Sequence, residues 1–446
     1  MSRPHRSGER RGPLPSPGLP AADTPQFCEA QKLDTGWPTY PSMSVRTAVV
    51  LAAGEGTRLR PLTRNRPKPM LPAANRPILE HVCDALIEAG VDRLVLVVGY
   101  RRERVQEHFG PSYRDIPIDY VVQAKQLGSG HALLEAREAV DGPMLVVNGD
   151  RLIATESVAA VRDAFAEDDA RAALAVIERA DASQYGAVRL RGRDIAEIVE
   201  KPDSDDYRLI NAGIYAFAES TFGAIEATPR SAGELALTDT IARLVERERV
   251  RGVRTGGLWV DATYPWDLLE VAGEVLARGR VEGVDRPDGI AQRAEGVWVD
   301  ASARVADAAA LRPPVVVGPD CEIAAGAVVG PDAALGRNVT VGANATVERA
   351  VLDTDTRVGP GSTLVDAVAG QNVHLGAATT IPGGPGDVRV GREVFEDQRL
   401  GAVLADRVRA RGGVSFAPGT LVGPAATVAS GAHVDGTVPE GAEVVR

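Results

Sequence analysis

The chain has 446 residues, too many for one ordinary core, and at roughly 150 residues per domain it should form two or three units, of which the sequence supports two. With 61 Asp and Glu against 50 Lys and Arg, its net charge is −11, so no overall field draws it to nucleic acid or to an anionic membrane, and small-molecule partners are expected. No apolar run approaches the roughly 20 residues that span a bilayer, and the three cysteines, Cys28, Cys83 and Cys321, stand far apart without metal-ligand spacing, which fits structural thiols in a reducing cytoplasm.

Residues 1–42 are rich in Pro, Arg, Gly and Ser and lack apolar periodicity; they are expected to be a disordered extension. Met43 stands just before the first strand and is the expected start of translation. Residues 43–280 then alternate strands and helices. Thr47 to Ala52 reads as an apolar strand, and Pro77 opens a helix with Ile78, Val82, Leu86 and Ala89 on one face, stopped by Gly90. Further strands are expected at Arg93 to Val98, Ile118 to Gln123, Met144 to Asn148, Ala172 to Ile177 and Ala212 to Phe217, with helices around Thr238 to Glu248 and Pro265 to Arg278. This order predicts an α/β domain with a mainly parallel sheet and ligands outside the strands' carboxyl ends.

A polar linker over 281–295 follows, and the period then changes. Val299, Val305, Leu311, Val317, Ile323, Val329, Leu335, Val341 and Val347 are spaced by six without a break. A small or apolar residue stands two before several of them, including Ala303, Cys321, Ala327, Ala333 and Ala345, so both point inward from one short strand. The pattern is that of a left-handed parallel β-helix of hexapeptide repeats over 296–446. Its phase breaks near Asp353 and returns at Val358, Leu364, Val422, Val428 and Val434, with an inserted loop expected around Pro382 to Arg411.

The first strand runs into Leu51-Ala52-Ala53-Gly54-Glu55-Gly56-Thr57-Arg58, followed by Pro67-Lys68-Pro69. Glycines there let backbone N–H groups turn toward an anion, and Arg58 and Lys68 bring charge to a polyphosphate. Leu59 stands where a dinucleotide fingerprint needs its third glycine, and no lysine follows a glycine as in a Walker loop. Gln123 to Ala132 leaves a strand end for a helix; a side-chain amide and free N–H groups can select a base there, while His131 is expected to bond at the helix N-terminus. Asp150 and Asp261 each follow a short apolar run, and together they suit Mg²⁺, which prefers oxygen ligands and bridges them to phosphates. The only lysines are Lys32, Lys68, Lys125 and Lys201, which marks Lys68 and Lys201 as places where a compact point charge is needed.

These stretches resemble the signature of the sugar-1-phosphate nucleotidyltransferase family, over Ala48 to Arg280. The resemblance implies a Rossmann-like domain that joins UTP or dTTP to a sugar 1-phosphate, glucose 1-phosphate or its N-acetylglucosamine counterpart. It implies that Arg58 binds the β and γ phosphates and Lys68 the α phosphate. Leu51, Ala52, Ala53, Gly54, Gly56, Thr57, Gln123, Gly128 and Ser129 would hold the nucleotide, Gly186, Glu200, Lys201 and Asn211 the sugar phosphate, and Asp150 and Asp261 the metal. The C-terminal part resembles that of bifunctional enzymes which also acetylate glucosamine 1-phosphate, through Gly370 to Ala377 and Arg399 to Ala402. Pro360 and Thr363 stand where that activity places its His and Tyr, and no lysine follows Lys201. His374 is therefore expected to pack a coil or face solvent, and the domain to drive oligomerisation, as a trimer, or to regulate. A noncatalytic homologue is the alternative that Arg58, Lys68, Asp150 and Asp261 together argue against.

Overall fold

The computed structural model describes residues 45–167, 170–204, 206–281 and 289–445. The expected extension 1–42, Met43 and residues 282–288 of the expected linker lie outside them.

Strands β1 (Thr47–Ala52), β2 (Arg93–Val98), β3 (Ile116–Val122) and β4 (Met144–Asn148) run parallel in the order β3-β2-β1-β4. They are joined through helices α1 (Ile78–Glu88), α2 (Arg102–Phe109) and α3 (Ser129–Glu135). Their apolar runs are continuous because both faces are covered. Ala48, Val50 and Ala52 pack into one core layer, with α1 and with α4 (Thr155–Glu167), while Val49 and Ala53 pack into the other. The chain order places β1 between β2 and β4, a switch point whose carboxyl ends leave a crevice.

Beyond β4 the sheet is mixed rather than mainly parallel. Strands β5 (Ala172–Glu178), β6 (Gly186–Arg191), β7 (Asp194–Glu200), β8 (Leu209–Phe217) and β9 (Val250–Arg254) extend it. Of their pairings only β9 on β5 is parallel, because short turns such as the one at Gly192 return the chain as hairpins. Helices α5 (Thr221–Glu226) and α6 (Leu237–Val245) cover this half, and α7 (Asp267–Ala277) ends the domain.

The C-terminal part is a parallel β-helix whose stacked coils present three faces. Val299, Val317 and Leu335 stack on one face, Val305, Ile323 and Val341 on the next, and Leu311, Val329 and Val347 on the third, and these side chains fill the interior. Early rungs pair residues eighteen apart, as Ile323 with Val341. From Val341 to Val358 and from Val347 to Leu364 the step is seventeen, because a corner is shortened around Arg349, which takes a left-handed backbone. That one-residue deletion is the phase break near Asp353.

Two boundaries differ from expectation. Ile290–Ala294, placed in the linker by its polarity, is a strand antiparallel to Val297–Asp300 and closes the open end of the coil stack. The insertion is also shorter: only Gly386–Val390 and Glu393–Gln398 leave the stack, as a hairpin, and Ala402–Leu404 and Arg409–Ala410 have resumed the coils. Those strands are too short to show a period after the interruption.

On the first face the strands carry three apolar residues in a row. The outward-pointing Val316, Ala334, Val351, Val368, Val403 and Leu421 belong to the same buried cluster as Leu268, Ala272 and Val275 of α7. Helix α7 is apolar nearly all round because the sheet domain covers one side and the β-helix the other. At about 1.5–3 kcal/mol for each fully buried Val or Leu, this seam joins the two parts into one body.

Candidate active site

The carboxyl ends of β1 and β4 open into a cavity of about 460 Å³. Every expected nucleotide residue lines it: Leu51, Ala52, Ala53, Gly54, Gly56, Thr57, Gln123, Gly128 and Ser129; so do Arg58, Lys68, Asp150 and Asp261. Two glycines are demanded by packing. Gly56 has φ of 67°, and a Cβ there would meet the Lys68 Cβ at 2.8 Å; Gly128 has φ of 99°, and a Cβ would meet the Leu235 carbonyl oxygen at 2.5 Å. At Gly54 a side chain would point into open space, so the protein's own contacts do not require that glycine.

Lys68 is the centre of the charge arrangement. Its Nζ lies 2.9 Å from Asp150 Oδ2 and 2.8 Å from Asp261 Oδ1. Asp150 follows β4, and Asp261 ends the strand Trp259–Asp261, which pairs antiparallel with Arg151–Ile153 and so draws the two carboxylates together. Burial opposes the Lys68 charge, but Asp150 and Asp261 outweigh it and hold its pKa above the ordinary lysine value. Burial likewise opposes the Asp261 charge, and Lys68 and then Arg151 overcome it, so this carboxyl lies below the usual range. No group of three or more His, Cys, Asp or Glu side chains is arranged for a metal among the described residues. A divalent cation at this cavity would thus take two aspartates and complete its shell with water and substrate oxygens.

Gln123 is buried, and its Nε2 donates to the Gly128 carbonyl at 3.1 Å and to His131 Nδ1 at 3.1 Å. Both bonds fix the amide's orientation, since a carbonyl can only accept. With Nδ1 accepting, the imidazole carries its proton on Nε2, 3.1 Å from Glu135 Oε1. His131, expected to bond at the helix N-terminus, lies in the first turn of α3 and bonds there to the Gln123 side chain.

The four sugar-phosphate residues are not in the cavity wall. Gly186 and Asn211 are buried neighbours of Glu200: a Cβ on Gly186 would stand 3.2 Å from Glu200 Oε2 and 3.5 Å from the Asn211 Cβ. Asn211 already donates to the Tyr215 hydroxyl at 2.7 Å and accepts from the Gly213 N–H at 3.1 Å. Lys201 is exposed with φ of 42°. Arg151, which sequence reasoning passed over, joins the two zones: it lines the cavity, lies 3.6 Å from Asp261 Oδ2 and sits over the rings of Tyr185 and Trp259. Its place directly after Asp150 was the available signal. His374 stands on the outer second face of the β-helix, bonded through Nδ1 to Arg409 at 2.8 Å; partial burial, then Arg409 and Arg357, lower its pKa.

A glycine-lined loop, a lysine between two strand-end aspartates and a Rossmann-like switch point define the class. The nucleotidyl transferase family model matches residues 47–278, and a GMPPB C-terminal domain model matches 311–438. The chain belongs to the sugar-1-phosphate nucleotidyltransferase family and is an enzyme of that kind. It is 31% identical over 406 residues to the bifunctional protein GlmU of Methanococcus maripaludis, covering 87% of this chain and 94% of that protein. With GlmU of Methanocaldococcus jannaschii it shares 32% over 402 residues, 87% of this chain and 94% of that one. With the UTP–glucose-1-phosphate uridylyltransferase AglF of Haloferax volcanii it shares 37% over 228 residues, 50% of this chain and 93% of that one.

Proposed function

We propose that the chain transfers a nucleotidyl group from UTP or dTTP to glucose 1-phosphate or N-acetylglucosamine 1-phosphate, releasing pyrophosphate, with Mg²⁺ held by Asp150 and Asp261. The observation that carries this reading is the Lys68 ammonium bonded to both aspartates at the wall of the cavity that the Gly54 loop also lines.

The sugar-phosphate oxygen attacks the α phosphorus in line with the departing pyrophosphate. That oxygen is already anionic, so positioning and charge neutralisation supply the rate and no general base is needed. Lys68 stabilises charge on the α phosphate, Arg58 takes the β and γ phosphates, and loop N–H groups at Gly54 to Thr57 face the triphosphate. When bound, Mg²⁺ would neutralise phosphate charge beside Asp150 and Asp261. The amide of Gln123 spends its N–H groups on Gly128 and His131, which leaves Oε1 to accept from the N3–H of a uracil or thymine ring. The Gly186, Glu200 and Asn211 cluster would meet the sugar, with Lys201 at its phosphate.

The test is a matrix of UTP and dTTP against the two sugar phosphates, read as pyrophosphate, with and without a chelator. One pair should turn over and chelation should stop it; no release from any pair, or full release under chelation, removes the reading. Thiol release from acetyl-CoA with glucosamine 1-phosphate would add a second activity.

A further inference from the structure

A second cavity, of about 540 Å³, shares Thr57 and Arg58 with the catalytic one. Its walls come from the Thr57 to Arg64 stretch, the inserted hairpin and the last coils of the β-helix. Arg58, Arg64, Arg389 and Arg392 all line it, and among the described residues none of these four guanidinium groups has a carboxylate within ion-pair distance. Arg60 lines it too but is paired with Glu55. The only acids in the wall are Glu393 and Glu440. Unpaired like charges that line one cleft repel one another, and the rest of this chain runs the other way, with a net charge of −11. An anion is what relieves that repulsion, and guanidinium forks match phosphate oxygens.

The hairpin that brings Arg389 and Arg392 is held in place. Val388 is fully buried, and the Phe395 ring packs 4.7 Å from Tyr264 and 5.3 Å from Trp266. Tyr264 in turn lies under the Arg58 guanidinium, 5.9 Å from its ring centre. One aromatic cluster thus links the hairpin to a residue of the catalytic cavity.

We propose that this cavity binds a phosphate-bearing anion at a site separate from the triphosphate cradle, with Arg389 and Arg392 as its ligands and Arg58 as its link to the catalytic cavity. The chemistry fits pyrophosphate that has left the reaction or the phosphate group of another metabolite. The inference rests on the function proposed above only for the first of these sources.

The experiment is calorimetric titration of inorganic pyrophosphate, and separately inorganic phosphate, into the full chain saturated with UTP but lacking sugar phosphate, compared with R389Q/R392Q. An anion should still bind the UTP-loaded protein, and its affinity should fall roughly tenfold or more in the double variant. Phe395→Ala, which keeps both arginines but releases the hairpin, should weaken binding as well. No binding to the UTP-loaded protein, or equal binding to R389Q/R392Q, overturns the proposal. A clear preference for pyrophosphate assigns the site to the product, and equal affinity for phosphate assigns it to a monophosphate effector. Failure here with pyrophosphate release intact leaves the proposed reaction standing; absence of release in the substrate matrix removes that reaction alone.

Discussion

Arg66 and Lys68 stand two residues apart, both are buried, and each bridges two aspartates from distant parts of the chain. Arg66 reaches across the seam to Asp353 and Asp406, at corners of two β-helix coils, through its two terminal nitrogens. Asp353 also accepts the Thr354 N–H on its other oxygen, and Asp406 accepts the Gln371 N–H on the same Oδ1 that faces Arg66. Lys68 joins Asp150 and Asp261 at a cavity wall, where the Asp150 side chain keeps 33% of its exposure. A planar fork ties two fixed carboxylates into one geometry, whereas an ammonium is a point charge that imposes no such geometry on its partners. Both clusters border cavities, but the Arg66 side chain and its two aspartates are almost closed from solvent, whereas Asp150 beside Lys68 stays open to it. That contrast accounts for a lysine at position 68 in a chain that uses arginine almost everywhere else.

Breaking each cluster should separate the two roles. Asp150→Asn should lower turnover by roughly 10²–10³ or more, measured as pyrophosphate release, while thermal melting stays near that of the parent; Lys68→Met should lower turnover as far but also melt lower, because it leaves the buried Asp261 with Arg151 alone. Near-parental turnover in either would sink the assigned roles. Arg66→Met should do the reverse. It leaves two carboxylates stranded in the seam, at a cost of about 3–5 kcal/mol, read by urea denaturation. R66M/D353N/D406N, which removes the charges together, should regain much of that loss; if it is no more stable than Arg66→Met, the tie is not electrostatic.

How much of this could be read from the chain differs between the clusters for a physical reason. Asp150 was legible because it follows β4, whose carboxyl end opens on the crevice, and Asp261 because it ends a short apolar strand, which pairs antiparallel with Arg151–Ile153. The six-residue spacing disclosed the β-helix because each side chain it marks fills the interior. Arg66 carried no such mark, since its partners belong to coil corners whose register shifts by one residue at Arg349. A signal for the seam did exist. On the covered face the middle residue is apolar, as in Val315-Val316-Val317 and Ala402-Val403-Leu404, whereas elsewhere it is mostly polar, as Glu322 between Cys321 and Ile323, with Ala310 and Val328 as exceptions. The separation of the expected sugar residues from the cavity wall was not legible, because adjacency along β7 and β8 does not tell how Tyr185, Trp259 and Arg151 fill the space between.

Asp267 offers the finest test, being a partly buried carboxylate with no cation within ion-pair distance among the described residues. It accepts the N–H groups of Thr263 at 2.8 Å and Tyr264 at 2.7 Å, fixing the turn that follows Asp261. Burial pushes its pKa up to about 6 in spite of those bonds, and Asp261 and Glu270 add to the rise. A folded-state pKa above the unfolded value of about 3.9 means that the contribution to stability is complete below about pH 4 and is lost as pH climbs through about 6. For Asp261, held low by Lys68 and Arg151, the sense is opposite: its contribution is present above the unfolded pKa and lost on acidification. Asp267→Asn keeps an oxygen for both N–H groups without the charge. It should therefore stabilise the protein at pH 8, by up to about 3 kcal/mol, and change little at pH 4. Equal denaturation midpoints at pH 8 would mean that two backbone N–H groups can sustain a partly buried carboxylate unaided, and the cations beside Asp261 would then be there for the substrate rather than for the fold.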